Sequence, residues 1–303
     1  RLLYPEIECL GPVTQFSQVP ARHQYGRDRW IGGLYRRRYA VTRHARHSKV
    51  DHGGIDATTT EQNRALVANS VTVMSAASNS LERVVLQEGS KAYGRQLGPF
   101  KTPAKESDSR HMPPNFYYEQ EDFLIDFQQG KDWSWAVLRP EAVCGFAVGN
   151  PMNLIMCFGT YAAISKELGM PLKYPGDLRG FEAINQVTDS GLLARMTLWS
   201  ATSPNAANEI FNITNGDGFR YVNVWPDWAA AFGMEVGMAQ RIISAEVMPD
   251  KGPVWDRIVE KHGLMKLTYE QTAGWPYFDF NMDTAWDVLM SDAKRIDKGF
   301  TEM

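Results

Sequence analysis

Cysteine is scarce: the chain of 303 residues has three, at Cys9, Cys144 and Cys157, an odd number with no close pair. Disulfide frameworks and zinc knuckles both need paired spacing, so neither is expected, and a reducing, cytoplasmic setting follows. Long apolar runs are missing as well. The longest candidate, Met152 to Ile164, is interrupted by Asn153, Gly159 and Thr160, too short for a bilayer-spanning helix, so no membrane partner is expected. The N-terminal stretch is rich in arginine but lacks the apolar core of a secretory signal. Histidine is sparse too, with six residues. His44, His47 and His52 stand close together, but no acid or cysteine completes a zinc set in register, so no metal is expected. Internal repeats and low-complexity tracts are absent.

A chain that is 44% hydrophobic and 22% charged can bury a large core and reads as globular. Its net charge of −3 gives no overall attraction to nucleic acid. The sign is unevenly spread, however: from Arg22 to Lys49 nine basic residues face one acid, Asp28. That excess could serve a phosphate, a nucleic acid or nothing at all. It lacks the interleaved aromatic platforms and the domain motif of a nucleic-acid binder, so no nucleic-acid partner is expected. Asn212-Ile-Thr214 matches a glycosylation sequon, but it falls in a predicted strand and is read as structural.

Residues 1–57 show no sustained period and predict no element. From Thr60 the texture changes. Val67, Val71 and Met74 share a helical stripe, and Arg83–Gln87 reads as a strand ending before Gly89. A helix is predicted from Asn115, a strand over Trp135–Arg139, and a helix over Leu154–Leu168 closed by Gly169. Pro171 to Gly180 reads as loop. Leu192, Leu193, Met196 and Trp199 mark another helix, Glu209–Ile213 a strand, and Trp225–Phe232 a short helix ended by Gly233. The βα alternation predicts an α/β fold, a doubly wound, mostly parallel sheet with helices on both faces, whose ligands sit beyond the carboxyl ends of the strands.

The residues after such strands carry chemistry, which singles out Lys91 and Tyr117. A lysine ammonium favours the phenolate of a nearby tyrosine, and a tyrosine can donate a proton or a strong hydrogen bond to a carbonyl oxygen. Dehydrogenases usually set this pair four residues apart on one helix. Here the residues four after Tyr117 and Tyr118 are Glu121 and Asp122, so the lysine has to come from another element. Taken alone, a lysine and a tyrosine 26 residues apart are better read as a solvated lysine and a core tyrosine.

The stretches Leu86-Gln-Glu-Gly-Ser-Lys-Ala-Tyr93, Asn115-Phe-Tyr-Tyr-Glu-Gln-Glu-Asp122 and Trp135-Ala-Val-Leu-Arg-Pro140 resemble the progesterone 5β-reductase and iridoid synthase family. Collinear matches follow at Asn150-Pro-Met-Asn-Leu154, Pro171-Leu-Lys-Tyr-Pro-Gly176, Asn208 to Asp217 and Pro253-Val-Trp-Asp256, and the likeness runs from about Thr60 to Phe300. The resemblance implies an extended short-chain dehydrogenase/reductase fold of Rossmann type. It also implies NADPH as cofactor and 1,4-reduction of a small apolar enone or enal. In that reading Tyr117 stabilises the enolate oxygen and Lys91 lowers the tyrosine pKa and holds the nicotinamide ribose. Val143 lies near the nicotinamide amide, while Phe100, Tyr118 and Phe300 belong to the substrate side. A homodimer is left open.

The family opens with a Val-Thr-Gly-x-x-Gly turn, whose glycines let the backbone reach the pyrophosphate. The candidate here, Val13-Thr-Gln-Phe-Ser-Gln18, has glutamine at both glycine positions and leaves Thr14 as the cofactor contact. Gly33-Leu-Tyr-Arg-Arg-Arg38 resembles the family's clamp on the 2′-phosphate, which assigns Arg36 and Arg37 to NADPH. The expected division is residues 1–59 as a degenerate, strand-poor start of the cofactor domain, 60–150 as its remainder with Lys91 and Tyr117, and 151–303 as mainly substrate-binding. The competing expectation is a cofactor-poor or inactive relative, a truncated gene product, which binds a hydrophobic ligand without redox turnover.

Overall fold

The computed structural model describes residues 34–35, 39–43, 56–145, 147, 149–150 and 152–303. In chain order the elements are β1 (Leu34–Tyr35), β2 (Tyr39–Arg43), α1 (Ala57–Ala77), β3 (Arg83–Gln87), α2 (Phe116–Gln128), β4 (Ser134–Pro140), β5 (Val143–Cys144) and α3 (Leu154–Glu167). They continue with α4 (Leu178–Glu182), β6 (Ile184–Asn185), β7 (Thr188–Asp189), α5 (Ser190–Thr202), β8 (Glu209–Ile213), β9 (Phe219–Arg220) and α6 (Tyr221–Ala231). The last are α7 (Ser244–Val247), α8 (Gly252–His262), α9 (Tyr269–Thr272), α10 (Trp275–Met282) and α11 (Ala293–Asp297).

The main sheet has the order β1-β2-β3-β4-β8. β1 pairs antiparallel with β2, and every later pairing is parallel. Val84, Val85 and Leu86 are fully buried, as expected of a central parallel strand covered on both faces. The pleat sends alternate residues to opposite layers. Val84, Leu86 and Val137 pack with Val67 and Val71 of α1 and Leu124 of α2. Val85, Ala136 and Leu138 pack with Leu192, Leu193 and Met196 of α5 on the other side. Each such aliphatic side chain contributes roughly 1.5–3 kcal/mol. The doubly wound α/β arrangement is therefore the one the alternation predicts.

Four readings need correction. Strands β1 and β2 lie in a stretch where no element is predicted: β1 has only two residues, and β2, Tyr39-Ala-Val-Thr-Arg43, is not bounded by the turn residues that mark β3 and β8. The loop read from Pro171 contains α4 from Leu178, and α6 starts at Tyr221, with Pro226 inside its first turns. The βα alternation also stops at β8. Apart from the short strand β9, the rest is helical, and two two-stranded ribbons, β5-β7 and β6-β9, stand outside the main sheet.

A second core gathers α3, α6, α8 and α10 around Phe158, Trp225 and Phe278. Phe158 meets Trp225 and Phe278 edge-on, at 5.6 and 5.1 Å between centroids, a favoured geometry for aromatic pairs. The chain before α4 is fastened to the end of α10: the Tyr174 hydroxyl donates to the Met282 carbonyl at 2.8 Å. A Cβ on Gly176 would lie 2.1 Å from that same carbonyl oxygen, so backbone meets backbone there. Gly176→Ala is expected to lower unfolding stability by about 2 kcal/mol through overpacking. Denaturant unfolding checks this, and an unchanged midpoint would show that the contact gives way freely.

Candidate active site

β3 and β4 run parallel and end side by side, so the segments that leave them converge at one end of the sheet. After β3 the chain passes Glu88 and Gly89 into a short 3₁₀ turn, Ser90–Tyr93, that carries Lys91. Asn115 then caps α2. Its side-chain oxygen accepts from the Tyr117 amide at 3.0 Å, and its amide group donates to the Lys91 carbonyl at 2.9 Å. One side chain thus ties the Lys91 turn to the helix that starts with Phe116 and Tyr117. A second tie comes from the Tyr118 hydroxyl, which donates to the Ala92 carbonyl at 2.8 Å.

Tyr117 is buried, and its ring packs edge-on against Phe116 with centroids 4.5 Å apart. A Cβ at Gly89 would come within 3.3 Å of both the Tyr117 hydroxyl and the Pro140 carbonyl. The hydroxyl therefore stands at the carboxyl ends of β3 and β4, close against Gly89. The Lys91 ammonium lies 5.1 Å from the ring centroid of Phe280 on α10.

Beneath these residues is a buried ion network. Arg139 donates through Nε to Glu88 at 3.1 Å and through a terminal nitrogen to Glu121. Arg110 reaches the other Glu121 oxygen at 2.9 Å and Asp122 at 2.7 Å. Arg139, Glu88 and Glu121 are 4%, 5% and 2% exposed, so the pairs are desolvated and not surface ornaments. Burial pushes the Glu88 carboxyl well above the usual carboxylate range, Glu121 adds to the rise, and Arg139 opposes it. Glu121, at the position where a dehydrogenase helix would carry its lysine, instead anchors α2 to β4. A second buried pair joins Arg95 to Glu141, and Arg95 also donates to Asn281 of α10 at 3.0 Å.

The other expected residues are scattered. Val143 begins β5, half-buried and packed against the α5 side of the sheet. Phe100 packs on Tyr93, Ala104 and Met290. Besides its bond to Ala92, the Tyr118 hydroxyl accepts from the His111 amide at 2.9 Å, and Arg110 covers its ring at 4.8 Å, so it holds loops together. Phe300 is buried beside Trp199 and Arg295 in the α5 layer. Thr14, Arg36 and Arg37, with His44, His47 and His52, lie outside the described residues. Sequence reasoning did not find Phe280, Arg95, Glu141, Glu88 or Arg139, since nothing in a single charged or aromatic letter tells which way it faces. Only the position of Glu121, four after Tyr117, carried a signal.

Among the described residues cysteine offers no nucleophile at this end of the sheet. Burial, with Glu141 and Asp189 adding to it, pushes the Cys144 thiol up to about 12, so it stays protonated. In the helical region a cavity of about 200 Å³ is lined by Ala147, Met156, Trp255, Leu264, Met265 and Leu267, among others. Among the described residues no helix is long and apolar enough to cross a membrane.

A family model described as a PRISE-like Rossmann-fold domain matches residues 41–296. The short chain dehydrogenase gsfE of Penicillium aethiopicum is 35% identical over 259 residues, which cover 79% of this chain and 68% of that protein. The (S)-8-oxocitronellyl enol synthase ISY1 of Nepeta cataria is 34% identical over 247 residues, 77% of this chain but 63% of its own length. Among solved structures, RMD from Pseudomonas aeruginosa complexed with NADPH superposes with a TM-score of 0.51 at 13% identity, covering 81% of this chain and 80% of that one. That likeness is one of fold.

Proposed function

The chain belongs to the PRISE-like Rossmann-fold family, and on that premise we propose that it is an NADPH-dependent reductase of activated carbon–carbon double bonds in a small apolar enone or enal. The observation that carries this reading is the Tyr117 hydroxyl held against Gly89 at the carboxyl ends of β3 and β4, with Lys91 on the adjoining turn. In open α/β sheets this is where ligands bind. The relatives' names, short chain dehydrogenase and enol synthase, support the reaction class.

Lys91 would hold the ribose of the nicotinamide cofactor, with Thr14, Arg36 and Arg37 serving its phosphates and Val143 its amide. When bound, the cofactor supplies hydride. As the β-carbon of the substrate takes up hydride, electron density moves to the carbonyl oxygen, and the Tyr117 hydroxyl donates to it. A donor aimed at an oxygen that gains charge only along the reaction is worth about 3–4 kcal/mol. The resulting enolate takes a proton from water at the α-carbon, or takes the Tyr117 proton at oxygen and leaves as the enol, and the tyrosine regains its proton from water.

Gln15 and Gln18 stand where the family has glycine, and they favour a second reading, a relative that binds an apolar ligand without turnover. Titration separates the two. NADPH is expected to quench tryptophan fluorescence saturably and to raise the thermal unfolding midpoint. If saturating NADPH moves neither signal, the reductase reading fails and the second stands.

A further inference from the structure

We propose that Phe280 is a positioning residue for Lys91, its ring face holding the ammonium at the mouth of the site; this rests on the reading that Lys91 serves the cofactor. The Lys91 Nζ lies 5.1 Å from the ring centroid, and the Arg95 guanidinium carbon lies 5.0 Å from the same centroid. Cations within about 6 Å of an aromatic face are drawn to the negative potential of its π-system. A flexible lysine loses side-chain freedom when it is held, so a ring that is already fixed costs less to engage.

The ring's place is set by its neighbours. Asn281, the next residue on α10, is 3% exposed and accepts from Arg95 at 3.0 Å, while its own amide donates to the Tyr277 carbonyl at 2.8 Å. Arg95 is 5% exposed and paired with Glu141, which is 3% exposed. The guanidinium charge is thereby offset, so it fixes the ring without strongly repelling the lysine. Arg95 follows β3, Glu141 follows β4, and Phe280 comes from the helical region. The seating of α10 against the ends of the sheet then decides where the ammonium stands, which makes α10 part of the cofactor side of the site as well as a wall of the second core.

The test combines one readout without cofactor and one with it. Lysines are reductively methylated with ¹³C, which keeps their charge, and the Lys91 signal is assigned by its loss in Lys91→Met. In the parent protein this signal is expected to be displaced upfield by the ring. The displacement should vanish in Phe280→Leu and persist in Phe280→Tyr. In NADPH titrations Phe280→Leu is expected to weaken binding about 3- to 10-fold, Phe280→Tyr to restore it, and Phe280→Leu to add no loss in the Lys91→Met background. A Lys91 signal that is the same in the parent and in Phe280→Leu overturns the proposal. So does a loss of binding that is equally large with and without Lys91. If the parent binds no NADPH, the reductase reading falls on its own, and the methyl signal still decides whether Phe280 holds the lysine.

Discussion

Tyr117→Phe is expected to lower kcat for enone reduction by two to three orders of magnitude while NADPH affinity stays within about twofold of the parent. The size follows from removing one preorganised donor to a developing oxyanion. The selectivity follows from the packing. Tyr117 is 6% exposed and its ring is fixed against Phe116, so deleting one oxygen leaves the ring, the α2 cap at Asn115 and the Lys91 turn in place. Steady-state kinetics and fluorescence titration on the same preparations check both halves. A parallel fall in turnover and binding would assign Tyr117 a structural role, and unchanged turnover would remove it from the chemistry.

How far the site was legible in the sequence depends on the range of the interactions that build it. β3 and β4 could be read because strands buried on both faces carry apolar runs ended by Gly89 and Pro140, and β8 because the turn residues Asn215-Gly216 close it. The start of α2 could be read because Asn115 is a helix cap by composition. These local signals were enough to bring the Lys91 turn and Tyr117 to the same end of the sheet. Phe280 was out of reach: it comes from a short helix, 189 residues beyond Lys91, and its placement depends on a buried Arg95–Asn281 bond. Tyr118 and Phe300 show the same limit from the other side. An aromatic letter near a motif fits a pocket wall and a core filler alike, and the structure buries Phe300 in the α5 layer and commits the Tyr118 hydroxyl to the Ala92 and His111 backbone. The helices after β8 are mostly of four to eight residues, too short for a stripe to repeat.

Arg139→Met is expected to destabilise the protein by about 3–5 kcal/mol, because it takes the Arg139 cation away from buried Glu88 and leaves that carboxyl beside Glu121, which keeps only its bond to the more exposed Arg110. A typical domain has about 5–15 kcal/mol in all, so the loss would be plain in urea unfolding. The pH dependence distinguishes an electrostatic cause from lost packing. Glu88 has a raised pKa in the folded protein, so the native state keeps a proton that the unfolded chain releases at its ordinary value of about 4.3. Stability from this group is therefore full below that pH and declines as pH rises from there towards the folded value. Without Arg139, which pulls the Glu88 pKa down, the decline should extend to higher pH. Glu88→Gln mimics the protonated carboxyl, so it should remove the decline in the parent and recover part of the loss in Arg139→Met as pH increases. If Arg139→Met loses the same stability at pH 4 and pH 8, its effect is one of packing, and the buried network is not what fastens α2, and with it Tyr117, to the sheet.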